Sequence, residues 1–467
     1  MEPFIHRLNF DILTRLFIIA VASFVRPGTL GLVCSRWWSI VRDEPTLFKA
    51  VFIGSTTPDT VARARHLLDR SRTHSVSISF FHITRQSQHM CAALLDAYVS
   101  RLQAFATEHR TPTVVLFVRS ILPKLVNLEE LSLNIAVLES EYPLDLSLPR
   151  LQGLHTVRLS GLWSNYVCYP STGFPFRQLT HLELRGTGLG VEQAIKVLSS
   201  CTMLESCVLF LDVESGRLPH RDCPVHLPHL AHFRVIGSPY TYPQILTPGM
   251  FPTLKYLHVR DAGPLRHTLP LHRVPMITKS PRIPPIISLN LEIQQSLNFD
   301  IAALLNSIST LSSLHVDYGA SSKQFILPLL RLLKQNPTIL PRLQCLALCV
   351  ESDEISCQSE VQLASFIFPF IQCRLGTLNQ FHISDTHGAF SLASNFATQQ
   401  YLSLISLGTH HRNALWWSAT AAVPEWVQML WPETYHPYDK DIARFPVGIA
   451  LPADRGNFPY THHLFVR

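Results

Sequence analysis

From about residue 125 the chain repeats one short pattern, apolar-x-x-apolar-x-apolar, and this constrains its fold more than any other feature. Clear copies start at Leu128, Leu154, Leu179, Leu204, Leu230, Leu254, Ile286, Leu311, Leu343 and Leu378, so successive starts lie 26, 25, 25, 26, 24, 32, 25, 32 and 35 residues apart. In Leu179-Thr-His-Leu182-Glu-Leu184 the alternation predicts a short strand with both later leucines on one face. One such strand cannot bury that face alone. Stacked copies can, by building a parallel sheet over a continuous core, with a helix or arc carrying the chain back between strands. Helical spacing in the returns at 190–200, 299–309 and 324–335 agrees with this.

A period near 25 falls in the leucine-rich-repeat range of roughly 20 to 29 residues. The expected fold class is therefore α/β: a leucine-rich-repeat solenoid over residues 125–400, with parallel strands on its concave face. The three longer gaps read as loop insertions; Pro264, Pro270, Pro275, Pro281, Pro284 and Pro285 predict an extended surface loop in the first of them. The asparagine that usually caps the turn after each strand is replaced by Ala136, Leu162, Thr187 or Asp212, so the repeats are degenerate. Residues 53–124 read as a linking region with a strand-like run at 76–81 and a helix over about 91–106. Residues 401–467, with Trp416, Trp417, Trp426 and Trp431, lose the repeat and read as a tail or cap.

Residues 1–52 follow a different rule. Leu8, Ile12, Leu13, Leu16 and Phe17 recur at helical spacing; Pro27 and Gly28 break the chain; Leu30, Val33, Cys34, Trp37 and Ile40 form a second apolar set. Pro45 interrupts again before Leu47, Phe48 and Val51. Three short helices with apolar faces this large exceed what so few residues can bury, which predicts a partner.

Composition excludes several functions. Hydrophobic residues at 47% and charged residues at 15% describe a chain that folds. The net charge of +6 is spread without any block of five like charges, so nucleic acid is not an expected partner. The longest N-terminal apolar run, 16–25, is too short to cross a bilayer, so no membrane association is expected. That run could also belong to a secretion signal; against this reading, the chain has no Asn-x-Ser/Thr acceptor, since Asn336 precedes Pro337, and its ten cysteines are scattered. A cytoplasmic or nuclear protein with reduced thiols is expected. Phosphate-cradling glycine loops, nucleophile elbows and zinc-protease runs are all missing, so no enzyme and no cofactor is expected. Cys345, Cys349, Cys357 and Cys373 lack zinc-site spacing, and the pairs at 410–411 and 462–463 read as exposed histidines, so no metal is expected either.

The N-terminus resembles the F-box of fungal F-box proteins. Leu8-Asn-Phe-Asp-Ile-Leu-Thr-Arg-Leu-Phe17 is similar to the family's Leu-Pro-x-Glu-Ile-Leu-x-x-Ile-Phe, Leu32-Val-Cys-Ser-Arg-Trp-Trp38 to its Leu-Val-Cys-x-x-Trp-x, and Glu44-Pro-Thr-Leu-Phe48 stands where it has Thr-Pro-x-Leu-Trp. Asp69-Arg-Ser71 and Ser75-Val-Ser-Ile-Ser79 resemble the segment that joins such F-boxes to their repeats. Asn9 and Phe48 depart from the family's proline and tryptophan. The resemblance implies a substrate-recognition adaptor of a Skp-cullin-F-box ubiquitin ligase: helices binding a Skp-type adaptor and through it a cullin scaffold, repeats choosing a protein substrate, chemistry left to other subunits. It implies adaptor contacts at Leu8, Ile12, Leu13, Leu16, Val33, Cys34, Trp37, Leu47 and Phe48. The alternative is a repeat scaffold or recognition protein without ligase engagement.

Residues alternating with the inward leucines face outward, the usual recognition side of stacked repeats. They include Arg158, His181, Arg185, His232, Arg234, Tyr256, His258 and Arg260, with Ser288, Asn290, His315 and Asp317 beyond and Glu183 as the main opposing charge. Guanidinium forks in such a stripe predict an acidic or phosphorylated partner segment.

Overall fold

The computed structural model describes residues 8–22, 27–81, 83–109, 113–135, 151–161, 174–185, 189–211, 225–237, 251–261, 285–293, 308–318, 323–350, 380–385, 407–408 and 414–418, with a few single positions between 305 and 378. The chain divides into two compact units, Met1–Leu179 and Thr180–Pro437.

In the first unit, three helices, α1 (Phe10–Ala22), α2 (Pro27–Gly31) and α3 (Ser35–Asp43), are followed by a 3-10 turn at Pro45–Phe48. Pro45 opens that turn, and the Glu44 carboxylate caps it by accepting from the Thr46 amide at 3.0 Å. Five strands then follow: β1 (Ala50–Ile53), β2 (Val76–Phe81), β3 (Leu102–His109), β4 (Glu130–Ile135) and β5 (Thr156–Gly161). They pair in chain order, all parallel. Helices α4 (Pro58–Arg70), α5 (Gln88–Tyr98) and α6 (Thr113–Ile121) fill the first three returns.

This corrects the reading of residues 53–124 as a linker. The register sets Val51, Ile78, Phe105, Leu131 and Val157 side by side, and Ile53, Phe80, Thr107, Leu133 and Leu159 in the next column. All ten are buried. Counting back three residues from the first column puts the repeat starts at Phe48, Ser75, Leu102, Leu128 and Leu154, so the repeat begins at Phe48. The helix expected over 91–106 ends at Tyr98, because the chain turns there to deliver Leu102 and Phe105 to the core.

The second unit repeats the plan. β6 (His181–Arg185), β7 (Ser206–Phe210), β8 (His232–Gly237), β9 (Tyr256–Asp261), β10 (Ser288–Ile293), β11 (Ser313–Tyr318), β12 (Cys345–Val350) and β13 (Gln380–Asp385) pair in chain order and parallel. α7 (Val191–Ser200) and α8 (Lys323–Gln335) occupy two returns, as the spacing predicts. β15 (Ala414–Ser418) pairs antiparallel with β13, and β14 (Leu407–Gly408) antiparallel with β15, which places Trp416 and Trp417 on a sheet strand. Trp426, Trp431, the loop at 264–284 and most of the helix expected at 299–309 lie outside the described residues.

Eight of the strands are preceded by the same tight turn. The amides of Leu128, Leu154, Leu179, Leu204, Leu230, Leu254, Leu311 and Leu343 each donate to the carbonyl three residues back, on Leu125, Leu151, Phe176, Cys201, Leu227, Phe251, Ile308 and Leu340. Those eight carbonyl residues are also buried, so the sequence rule extends one apolar position upstream of the pattern. The buried Arg374 donates to the carbonyls of Leu333, Asn336, Ile339 and Leu340 at and beyond the C-terminus of α8, those of Asn336 and Leu340 also accepting backbone amides.

Thr107 breaks the apolar rule: it occupies an inward position with its hydroxyl buried and unpaired among the described residues. Burying an unbonded hydroxyl is costly. Thr107→Val removes it with little change in shape and raises stability by about 1 kcal/mol, measured as an upward shift of the urea midpoint at unchanged slope.

Candidate functional site

Each unit presents one surface that its own core does not explain. In the first unit, the helices close a small core of Leu13, Phe17, Leu30, Ile40, Val41, Leu47 and Phe48. Leu8, Trp37 and Leu67 of α4 pack against it from its edges. Trp37 meets Phe17 edge-on at 4.7 Å, and Arg36 Nη2 donates to the Leu8 carbonyl at 2.6 Å, tying α3 to the start of α1.

The predicted adaptor contacts therefore separate into two groups. Leu13, Leu47 and Phe48 are core residues, and the Arg70 guanidinium covers the Phe48 ring at 3.8 Å while donating to the Val41 carbonyl. Leu8, Cys34 and Trp37 are partly buried. Ile12, Leu16 and Val33 are 48, 44 and 58% exposed. Phe10, Ile18, Ile19, Leu32 and Trp38 join them as large exposed apolar residues; their positions lie on or beside the same helices, but they were passed over because the periodicity marks the inward set first. The Trp38 ring lies against Gly31, where an added Cβ would come within 2.7 Å, so this close packing needs glycine. Exposed apolar side chains at this density are unusual on a surface left to water.

In the second unit the pairing register lines up the outward side chains. One row runs Glu183, Val208, Arg234, His258, Asn290, His315. The row beside it brings Arg260 next to Glu292 and Glu292 next to Asp317. Arg158 belongs to the first unit, where its Nη1 lies 3.8 Å from Glu130.

The expected basic stripe carries its own counter-charges. Arg185 is ion-paired with Glu183. Glu292 takes three partners: His258 Nε2 at 2.6 Å, Arg260 Nε at 3.2 Å and Arg234 Nη2 at 4.0 Å. The carboxylate that organises this cluster was missed in the sequence because it sits two residues beyond Asn290, just past the stretch of β10 taken as outward. Burial acts to raise the Glu292 carboxyl, but His258 and the two guanidiniums together outweigh it and hold the group down at about 2. Burial and the Arg234 charge push His258 below its ordinary value, and burial takes His315 down to about 4. His258 Nε2 thus lies against an ionised Glu292 oxygen while burial disfavours the charged imidazole.

His181 and His232 lie on the outward row nearest the strand starts, with Ser206 between them and Tyr256 beyond, the His181 Nδ1 lying 2.9 Å from the Thr180 hydroxyl. Among the described residues no group of three or more histidine, cysteine or acidic side chains is arranged to hold a metal ion. Cys91, Cys201 and Cys207 are buried free thiols, and burial raises the Cys91 thiol to about 12, far from reactivity at neutral pH. Among the described residues no helix is long and apolar enough to cross a membrane. No protein-family model matches the chain, and no curated protein matches it.

Two outcomes test the cluster. Glu292→Gln leaves two desolvated guanidiniums without their carboxylate and destabilises the protein by about 3 kcal/mol in urea unfolding. The unfolded chain binds a proton at an ordinary histidine near pH 6.5, whereas folded His315 resists protonation until about pH 4. Stability is therefore complete above pH 6.5 and falls as pH drops toward 4. His315→Gln flattens that slope in thermal melts taken between pH 7.5 and 4.

Proposed function

We propose that the protein is a non-catalytic adaptor of the F-box and repeat type. Its N-terminal helices dock a Skp-type adaptor, and through it a cullin scaffold, while the outward face of its strands holds a protein target. The observation that carries this reading is the exposed apolar set at Phe10, Ile12, Leu16, Ile19, Leu32, Val33 and Trp38 around a core that is already closed without it. Leaving so many large apolar side chains in water is costly for a small bundle, and a helical partner covering them offsets that cost. The family resemblance names the partner, and the exposed subset of the predicted contacts, Ile12, Leu16 and Val33, would form its seat.

The register of the outward side chains supports a target surface on this face. An acidic or phosphorylated segment would take Arg234 and Arg260 by displacing Glu292, and Arg185 by displacing Glu183. Such exchange favours ligands that bring more than one negative charge, since each guanidinium already has a carboxylate.

A second reading has its own support. Phe48 stands where the family has tryptophan, and it is buried under Arg70 as the first anchor of the repeats. A repeat scaffold that keeps the helices for packing alone would look the same at this position.

Full-length protein decides between them. A Skp-type adaptor from a fungus co-purifies with the wild-type chain, and Leu16→Asp or Val33→Asp abolishes capture while leaving the urea midpoint within experimental spread. Leu13→Ala instead costs about 3 kcal/mol of stability, as a core cavity does. Absence of capture by the folded wild-type chain rejects the ligase role and leaves the scaffold.

A further inference from the structure

Side chains that point away from the core of a single sheet ordinarily meet water. In the second unit they do so near the strand starts, where His181 and His232 are exposed and Tyr256 is 43% exposed. The next outward row is closed. Within it Val208 and Ala347 are 0% exposed, Arg234 and His315 are buried, and Asn290 Oδ1 is shut from water. Two residues further along β8, Ile236 is also buried, set between Phe210 and Arg260.

Neighbouring strands, ~4.8 Å away, flank such a side chain without capping its end. Arg234, the long neighbour of Val208, is drawn away toward Glu292 two strands off, and Arg185 lies toward Glu183 and the Phe210 ring. Full burial of an outward valine on β7 and an outward alanine on β12 therefore requires a layer above the sheet. The burial is that of one chain by itself, so the layer belongs to the same chain. Helices α7 and α8 occupy returns and carry the chain round behind the strands. The return at 351–379 is acidic, but Arg374 fastens its end to the carbonyls at the end of α8, and it has to deliver β13.

Residues 419–437 meet the requirement in position, chemistry and reach. β15 pairs Ser418 with Gln380, so they leave the sheet at its edge, on the side where β13 starts. Glu425 and Glu433 are their only charged residues, and Trp426, Val427, Leu430, Trp431 and Tyr435 supply apolar surface. That is the complement of a face holding Arg185, Arg234 and Arg260 around Val208 and Ile236. Nineteen residues span up to roughly 60 Å at ~3.3 Å each. β7 lies seven strand spacings from β15, about 34 Å.

We propose that residues 419–437 lie across the outward face of β7 to β12, with aromatic side chains over Val208 and Ile236 and carboxylates toward the arginines. They act as an internal occupant that an outside acidic segment has to displace. This regulatory consequence rests on the outward face being the target surface.

The test uses the full-length chain. Tyr256→p-benzoylphenylalanine, at the open margin of the covered band, is irradiated and the linked peptides are identified by mass spectrometry. The expected product is a link within one chain to residues 419–437; a link to 351–379, to another return or to a second copy overturns the proposal. In a second arm, a labelled peptide of residues 419–437 is added and its binding followed by fluorescence anisotropy. The double variant Trp426→Ser, Trp431→Ser frees the face and binds this peptide at least tenfold more tightly than wild type. Glu425→Lys with Glu433→Lys, which keeps the aromatic residues, shifts affinity in the same direction. Equal affinity in wild type and both variants overturns the proposal. A glutamate-rich peptide keeps the two ideas apart. If it binds neither chain while the 419–437 peptide binds the variants, the target reading fails and the internal contact stands; if it binds wild type and variants alike, the internal contact fails and the target reading stands.

Discussion

Register-locked burial of the inward side chains is the constraint on which the rest depends. Neighbouring strands share it through a recurring two-pronged contact: the Glu129 carbonyl accepts from both His155 and Thr156, and Glu205, Ala231, Lys255, Ile287 and Ser312 do the same for the strands that follow them. A slip of one residue would turn every buried leucine to the opposite face. The inward columns therefore fix the outward ones. Arg234, His258, Asn290 and His315 stand in a row because Phe233, Leu257, Leu289 and Leu314 must be buried in one, not because the polar groups attract each other into line.

What the polar groups do is settle within that imposed geometry. Glu292 is surrounded by one imidazole and two guanidiniums, and the balance leaves the carboxylate ionised and the histidine neutral. A face read from sequence as a run of cations is in its folded form a mixture in which each arginine has an acidic neighbour. Burying such a cluster contributes little net stability, since desolvation offsets much of the attraction. Its effect is to hold the side chains of β8, β9 and β10 in one arrangement.

The strands from residue 128 onward were legible because leucine occupies the anchor position almost without exception. The first three were not legible as repeats, although the run at 76–81 was read as a strand, for reasons visible in particular residues. The second repeat has Ser75 at its anchor, the third has Thr107 in an inward place, and the first begins at Phe48, inside a segment whose helical pattern claims the same residue. The helical region was read correctly as apolar on too many sides, but periodicity does not say which side wins the core. Packing gave it to Leu13, Phe17 and Leu47 and left Ile12, Leu16 and Val33 outside. Glu292 was hidden for a simpler cause: charge was counted along the strands one at a time, whereas the ion pairs run across them.

Phe48 belongs at once to the helical core and to the first repeat. Its ring closes the bundle with Leu13 and Leu47, Arg70 from α4 lies over it, and β1 begins two residues later. No stretch of chain remains there to act as a swivel. Helices and opening strands of this unit consequently share one cooperative structure, so that a grip on the outer helical face is a grip on the sheet as well, and displacement of either drags the other with it. A protein meant to hold one body at a set distance from another gains from such a joint, because tethers with slack lose orientation while a shared core transmits it.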